Sequence, residues 1–166
     1  MSETYLILPS EQGMRTPPWL YQACCRLLGV ERCELDAFAS LANSLCRVYY
    51  SEGNSGLVGP WIEPTFANPP FKIMAAAVAK AISEATTRGV RSALIGPAGC
   101  SQAWFHRLLE RAAIYLPNRR LVYLAPDGRT TAGARQDTAV YIIDGQWRDR
   151  PEVHVLPVTA RSLRGG

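Results

Sequence analysis

The chain has 166 residues, which predicts one domain rather than two. Its composition, 48% hydrophobic and 19% charged, provides enough apolar side chains for a buried core and excludes an intrinsically disordered protein. The net charge is +4, and lysine occurs only at positions 72 and 80, so nearly all of the cations are arginine. This charge is equally consistent with a nucleic-acid-binding face and with an ordinary solvated surface.

The chain is predicted to contain an N-terminal strand or arm over residues 1–13, one domain over residues 14–158 and a basic tail over residues 159–166. Apolar patterning and turn residues predict the elements of the first half. These are a helix from an N-cap at Thr16 to Leu28, a strand over Cys33–Leu35, a helix beginning within Ala39–Leu45, a strand over Arg47–Tyr50, a loop over Ser51–Pro60 and a strand over Thr65–Ala67.

The second half is predicted to continue the alternation of helices and strands. Its elements are a helix over Lys72–Thr87 ended by Gly89, a strand over Val90–Ile95, a helix over Gln102–Ala113 and strands over Leu121–Leu124, Thr138–Ile143 and Val153–Val158. This order predicts an α/β fold with a mostly parallel sheet and helices on both faces. Ligands bind such sheets beyond the carboxyl ends of the strands.

The cysteine and hydropathy patterns indicate in which cellular compartment the protein is expected. Five cysteines occur, but none forms a CxxC pair or lies at metal-ligand spacing from a histidine, so we expect reduced, mostly buried thiols and no metal site. The sequence has no apolar run of 18 residues and no leader-like N-terminus. We therefore expect neither a membrane span nor a signal peptide, and a cytoplasmic location.

The tetrapeptide Asn68-Pro69-Pro70-Phe71 follows a predicted strand directly. Two prolines hold the backbone extended and remove two N–H donors, so this corner is rich in acceptors. The Asn68 side chain and the Pro69 carbonyl can accept both hydrogens of a planar amino group, and a flat ring can stack on Phe71. The alternative is a plain proline turn at the end of a strand, with Phe71 in the core.

A second strand end carries Asp36, followed by Ala37, Phe38, Ala39 and Ser40. The small residues let a ligand approach the backbone, while the carboxylate can accept hydrogen bonds from an ammonium or hydroxyl group. An ordinary helix N-cap would show the same pattern. In this order, however, the two motifs resemble those of methyltransferases that act on amino groups and use S-adenosylmethionine.

From residue 16 to about residue 144 the chain is similar to the phage-type, Dam-like DNA N6-adenine methyltransferases. The matching segments are Thr16-Pro17-Pro18, Leu35 to Ser40 with Asn43, Tyr49-Tyr50, Gly56-Leu57 with Trp61, Asn68 to Phe71, Trp104-Phe105 and Arg120-Leu121. The resemblance implies a Rossmann-like class I methyltransferase fold that binds S-adenosylmethionine and double-stranded DNA. It also implies that a phage encodes the protein, which would then act in the host cytoplasm.

The resemblance also assigns roles to residues of this sequence. A flipped adenine would be held at Asn68, Pro69, Pro70 and Phe71, and its exocyclic N6 would attack the methyl group directly, without a metal. The cofactor would be held by Thr16, Pro17, Asp36, Ala37, Phe38, Ala39 and Asn43.

Three positions depart from the family pattern. Phe71 stands where the family often has tyrosine, Met14 stands where it commonly has tryptophan, and Asn54 with Ser55 replaces its usual acidic pair. These departures leave a catalytically inactive relative that binds DNA or a host protein as one alternative. The same chemistry on cytosine N4, guanine N2 or a protein glutamine is another.

Arginines in the C-terminal half are candidates for contact with DNA phosphates. Arg129 and Arg135 lie in a polar loop that can order on DNA, and Arg120 is a further candidate, although a solvated surface accounts for all three equally well. A separate target-recognition domain does not fit in this length. We therefore expect short or relaxed sequence specificity, or a host or phage protein partner that supplies it.

Overall fold

Seven strands form one mixed sheet within residues 14–51, 55–131 and 136–163, which are those that the computed structural model describes. The order across the sheet is β2-β1-β3-β4-β6-β5-β7. β6 runs antiparallel to both of its neighbours, and the other neighbouring pairs are parallel. The strands are β1 (Leu35–Asp36), β2 (Val48–Tyr49), β3 (Thr65–Ala67), β4 (Ser92–Pro97), β5 (Ala112–Pro117), β6 (Thr138–Ile143) and β7 (Glu152–Leu156).

The helices of these ranges are α1 (Pro18–Leu28), α2 (Met74–Arg88), α3 (Ala103–Arg111) and the short α4 (Ala160–Leu163). Gly29 and Gly89 end α1 and α2 with φ values of 72° and 70°, a left-handed conformation that glycine adopts without steric cost. The N-cap of α1 is Pro17, one residue after the predicted Thr16. In the described part of the chain, no helix is long and apolar enough to cross a membrane.

The sheet separates two hydrophobic cores. α1 covers one face, and α2 and α3 cover the other. Side chains along β4 alternate between the two cores: Ala93 and Ile95 pack towards α1, whereas Leu94 packs towards α2 and α3. The predicted α/β class is confirmed, with helices on both faces of the sheet. The sheet is mixed rather than mostly parallel because β6 is inserted in the opposite direction.

Two predicted strands, Thr65–Ala67 and Thr138–Ile143, are confirmed with their bounds. The helix predicted over Lys72–Thr87 is α2, which is preceded by one 3-10 turn over Phe71–Ile73. The helix predicted to begin within Ala39–Leu45 is wrong, and the structure has a turn there.

Side-chain hydrogen bonds explain that turn. Asn43 Oδ1 accepts from the Ser40 N–H at 2.6 Å and from the Ser40 hydroxyl at 3.0 Å. Such local bonds compete with the backbone bonds of a helix, and asparagine and serine make them readily. Asn43 thus closes the turn that follows β1.

The helix predicted to reach Ala113 is too long. It ends at Arg111, and the chain passes into β5 without a turn, because Ala112 already has extended backbone angles of φ −139° and ψ 149°. Along β5, Ala112 and Ile114 face one core and Ala113 faces the other. Burial on both faces of the sheet therefore decides the conformation of this apolar run.

The strand predicted over Leu121–Leu124 is also wrong. Leu121 and Tyr123 are buried in the core under α1 by side-chain packing, without a strand ladder. Leu124 forms only isolated bridges, to Arg15 and Thr130. The alternating apolar pattern correctly indicated that these side chains are buried, but it wrongly indicated that the segment pairs with another strand.

Three cysteines, Cys24, Cys25 and Cys33, are buried, whereas Cys100 is exposed. The Sγ atoms of Cys25 and Cys33 lie 3.9 Å apart and are not bonded. The predicted arm over residues 1–13 lies outside the described residues. So do residues 164–166 of the predicted tail, which otherwise begins with α4.

Candidate active site

The order in which the strands are connected reverses between β1 and β3. From β1 the chain passes to β2 on one side and returns to β3 on the other, so the carboxyl ends of β1 and β3 flank a crevice. Open α/β sheets bind ligands at such a point. Asp36 is the last residue of β1, and Asn68 directly follows β3. The two motifs predicted to carry chemistry therefore meet at this crevice.

A small cavity of about 40 Å³ lies in the crevice, enough for a few water-sized groups. Its lining includes five residues that the sequence predicted for the site: Thr16, Asp36, Phe38, Asn43 and Asn68. Three further residues that sequence reasoning did not propose as site residues also line it: Met14, Leu45 and Phe66.

Asp36 is the buried acceptor of this cavity, with 2% of its surface exposed. Its Oδ2 accepts a hydrogen bond from the Leu45 N–H at 3.1 Å, while its Oδ1 is buried with no partner in the described part of the chain. Burial raises the pKa of the Asp36 carboxyl to about 6, and the backbone N–H groups of Leu45 and Phe38, which favour the charged form, offset only part of that effect. The site thus holds a carboxylate oxygen that lacks the donor a buried oxygen requires.

Asn68 is held by a residue far away in sequence. Its Nδ2 donates to Thr16 Oγ1 at 2.9 Å, and Thr16 is itself buried. Pro69 is buried and Pro70 is exposed. Phe71 is 42% exposed, so the alternative that places Phe71 in the core is wrong. The Phe71 side chain, three residues after Asn68, is therefore accessible to a ligand.

The loop that follows β2 packs against the turn after Asp36. A side chain at Gly56 would collide with the Ala37 carbonyl, so only glycine fits where the two backbones meet. Trp61 Nε1 donates to the Gly56 carbonyl at 2.7 Å, and the Trp61 ring contacts Phe38 edge-on. These contacts give Gly56 and Trp61 a structural role beside the cavity. Asn54 lies outside the described residues.

Arginines line the same edge of the sheet. β5 ends and β6 begins at this edge, and the segment between them is tied to the start of the domain by backbone hydrogen bonds between Arg15 and Leu124. The Arg120 and Arg129 side chains on this segment are 60% and 86% exposed, and among the described residues each forms an ion pair with an exposed aspartate. Arg135 lies outside the described residues.

Histidine, cysteine and acidic side chains form no group of three that could hold a metal ion, as far as the described residues are concerned. The crevice brings together Thr16, Asp36 and Asn68, and Phe71 follows Asn68 by three residues. They offer an unpartnered carboxylate oxygen, an amide, a hydroxyl and an aromatic ring.

The comparison with protein families decides the class of the protein. The family model described as DNA N-6-adenine-methyltransferase (Dam) matches residues 8–164, nearly the whole chain. The chain belongs to this family. A comparison with curated proteins gives no match. Membership in the Dam family confirms the resemblance noted in the sequence, and it implies DNA as the substrate and S-adenosylmethionine as the methyl donor in general terms.

Proposed function

We propose that this protein transfers a methyl group from S-adenosylmethionine to the exocyclic N6 of an adenine flipped out of DNA, at the Asn68-Pro69-Pro70-Phe71 corner. The observation that carries the proposal is the cavity at the β1/β3 crevice. It brings Thr16, Asp36 and Asn68 from three separate segments to one place.

The topology supports a Rossmann-like methyltransferase fold. The parallel part of the sheet, β2-β1-β3-β4, has helices on both faces and a reversal of connection at its centre. Nucleotide-containing ligands occupy the crevice at such a reversal in doubly wound sheets. The location of Asp36 and Asn68 at this reversal agrees with the roles that the family resemblance gives them.

The cavity fits the amino-acid end of the cofactor. Asp36 Oδ1 is a buried acceptor without a donor, and an ammonium group supplies both a donor and the opposite charge. Thr16 and Asn43 contribute further polar groups to the same lining. When bound, S-adenosylmethionine supplies an electrophilic methyl group. Asp36 would anchor the end of the molecule away from that group, since the cavity is too small for a nucleoside.

The corner after β3 fits a planar amine. The Asn68 Nδ2 donates to Thr16 Oγ1, which leaves its Oδ1 as the end of the carboxamide that can accept from the substrate amine. The Pro69 carbonyl is a second acceptor, and the exposed ring of Phe71 offers a stacking surface. Two acceptors draw the N6 lone pair out of conjugation, and fixed geometry lowers the barrier to displacement in line with the leaving sulfur.

The arginine-bearing segment supports DNA as the partner. Arg120 and Arg129 are exposed at the same edge of the sheet as the cavity, where they can neutralise phosphates flanking a flipped nucleotide. Flipping removes the base from the stack at a cost of a few kcal/mol, so flanking contacts have to offset it.

The proposal is tested by incubating the protein with isotopically labelled S-adenosylmethionine and unmethylated duplex DNA, then digesting the DNA and analysing the nucleosides by mass spectrometry. We expect labelled N6-methyl-2′-deoxyadenosine from the wild type and none above background from Asn68→Ala. Label on cytosine or guanine would show that the protein methylates an amino group of that base instead of adenine N6. No labelled nucleoside from a folded protein that binds the cofactor would contradict the proposal and favour the binding-protein alternative.

A further inference from the structure

We propose that Thr16 is a positioning residue that fixes the orientation of the Asn68 carboxamide and makes that orientation depend on occupation of the cavity. The proposal rests on the function proposed above and adds a residue role to it. Its basis is the hydrogen bond of 2.9 Å from Asn68 Nδ2 to Thr16 Oγ1, across 52 residues of sequence.

The orientation of the amide matters because its two ends have opposite hydrogen-bonding roles. A carboxamide oxygen accepts, whereas its nitrogen donates. An exocyclic amine brings two donors to the corner, so only Oδ1 of Asn68 is useful to it. If the amide turned over, two NH₂ groups would face each other and the activating acceptor would be lost.

A threonine hydroxyl alone does not decide between the two orientations, because it can both donate and accept. It becomes an obligatory acceptor towards Asn68 once its own proton is donated elsewhere. In the described part of the chain, the bond from Asn68 is the one hydrogen bond of the Thr16 side chain. Its proton is therefore available to an acceptor that enters the cavity.

The polar atoms of the cavity determine which kind of ligand can supply an acceptor for the Thr16 hydroxyl. Asp36 Oδ1 requires a donor, and Thr16 and Asp36 both line the cavity of about 40 Å³. An α-amino acid carries an ammonium group for Asp36 and a carboxylate two bonds away that can accept from Thr16. The amino-acid end of the cofactor would thus fix Thr16 as an acceptor and leave Asn68 Oδ1 facing the target amine.

The first test follows the side-chain NH₂ signals of Asn68 in the ¹⁵N-labelled protein without DNA, assigned by their loss in Asn68→Ala. We expect S-adenosylhomocysteine, which has the amino-acid end, to shift these signals and slow their exchange with water. We expect 5′-methylthioadenosine, which lacks that end, to leave them nearly unchanged. Equal responses to the two compounds, or no response to either, would overturn the proposed link to the cavity.

The second test uses Thr16→Val, which has nearly the same shape without the hydroxyl, and Thr16→Ser, which restores it. We expect Thr16→Val to lower kcat about 10- to 100-fold with a smaller change in the KM for DNA, and Thr16→Ser to recover most of kcat. Equal kcat in Thr16→Val and the wild type would overturn the proposal. Absence of methylation by the wild type would contradict the proposed function instead, and the signals of Asn68 would still test Thr16.

A double-mutant cycle separates positioning from a general effect on folding. Asn68→Asp has two acceptor oxygens, so its orientation no longer needs to be fixed. We expect Thr16→Val to cost at least several-fold less in the Asn68→Asp background than in the wild type. Equal costs in the two backgrounds would show that Thr16 acts only through stability and would overturn the positioning role.

Discussion

Asp36, which is buried, and Arg148, which is partly buried, are charged residues at opposite edges of the sheet, and they have opposite surroundings. Arg148 donates to Asp144 Oδ2 at 3.0 Å and to Glu152 Oε2 at 2.7 Å, and its backbone N–H donates to the Glu110 carbonyl. Burial would raise the pKa of Asp144, but the hydrogen bond from Arg148 lowers it overall. The charges around Arg148 are thus satisfied within the protein.

Asp36 has no cationic partner in the part of the chain that the structure describes. Burial raises its pKa to about 6, and its Oδ1 has no hydrogen bond from any of these residues. Removing one member of a hydrogen-bonded charge cluster leaves its partners unpaired, whereas an unpaired buried carboxylate destabilises the fold until it is protonated or meets a donor. The comparison supports the proposal that the edge with Asp36 binds a ligand, whereas the charges at the edge with Arg148 pair with one another.

The largest effect is expected from replacing an exposed aromatic residue, and each of the two edges carries one. Phe71 stands at the candidate site and Trp147 near Arg148, exposed by 42% and 55%. We expect Phe71→Ala to lower kcat/KM for DNA methylation about 10- to 100-fold, because stacking contributes about 1–3 kcal/mol per base. Phe71→Tyr should recover most of that loss. Trp147→Ala is the matched control, and an equal loss in that variant would remove the distinction between the edges.

The next effect concerns stability rather than activity. Arg148→Gln should lower the free energy of unfolding by about 1–3 kcal/mol, because it leaves Asp144 and Glu152 without their shared donor. Urea unfolding measures this change, and the affinity for S-adenosylmethionine should stay close to that of the wild type. A large loss of cofactor affinity with unchanged stability would instead indicate that the edge with Arg148 binds the cofactor.

The smallest effect concerns DNA binding. Arg129→Ala should reduce the slope of log K against log salt concentration by about one, since one phosphate contact is lost. The control is Arg150→Ala, an exposed arginine beside the Arg148 cluster, which should leave the slope unchanged. The salt dependence of binding to a short duplex, measured by fluorescence anisotropy, tests both variants. Unchanged slopes in both would exclude Arg129 from the DNA interface.

The sequence predicted the parts of the molecule that depend on local signals. Gly29 and Gly89 end helices where they were expected to, because a left-handed residue needs no tertiary contact to favour glycine. Asp36 and Asn68 were placed at the ends of strands, and the parallel pairing of β1 with β3 brings them together. That pairing follows from the α/β order of elements.

The parts that the sequence did not predict depend on distant contacts. β5 continues directly from α3 because both faces of the sheet bury its side chains, and no turn residue marks the change. The bond between Thr16 and Asn68 joins segments 52 residues apart. The donor to Asp36 is the backbone N–H of Leu45, which any residue except proline could supply, so its side chain gives no signal.

The claim that Asp36 is kept for a ligand is tested most directly by the unfolding free energy of Asp36→Asn. The carboxyl has a pKa of about 6 in the folded protein and an ordinary value near 3.8 when unfolded. The unfolded state therefore loses its proton first, and ionisation destabilises the fold increasingly as the pH rises from about 4 to 6, with the full cost above that range. Asparagine keeps the shape and removes this cost.

The measurement is urea unfolding of the wild type and Asp36→Asn at pH 4 and pH 8, with and without S-adenosylmethionine. We predict that Asp36→Asn is more stable than the wild type by about 3 kcal/mol at pH 8 without the cofactor, has no such advantage at pH 4, and gains little from the cofactor. A variant that is less stable than the wild type at pH 8 and is still stabilised fully by the cofactor would contradict the account.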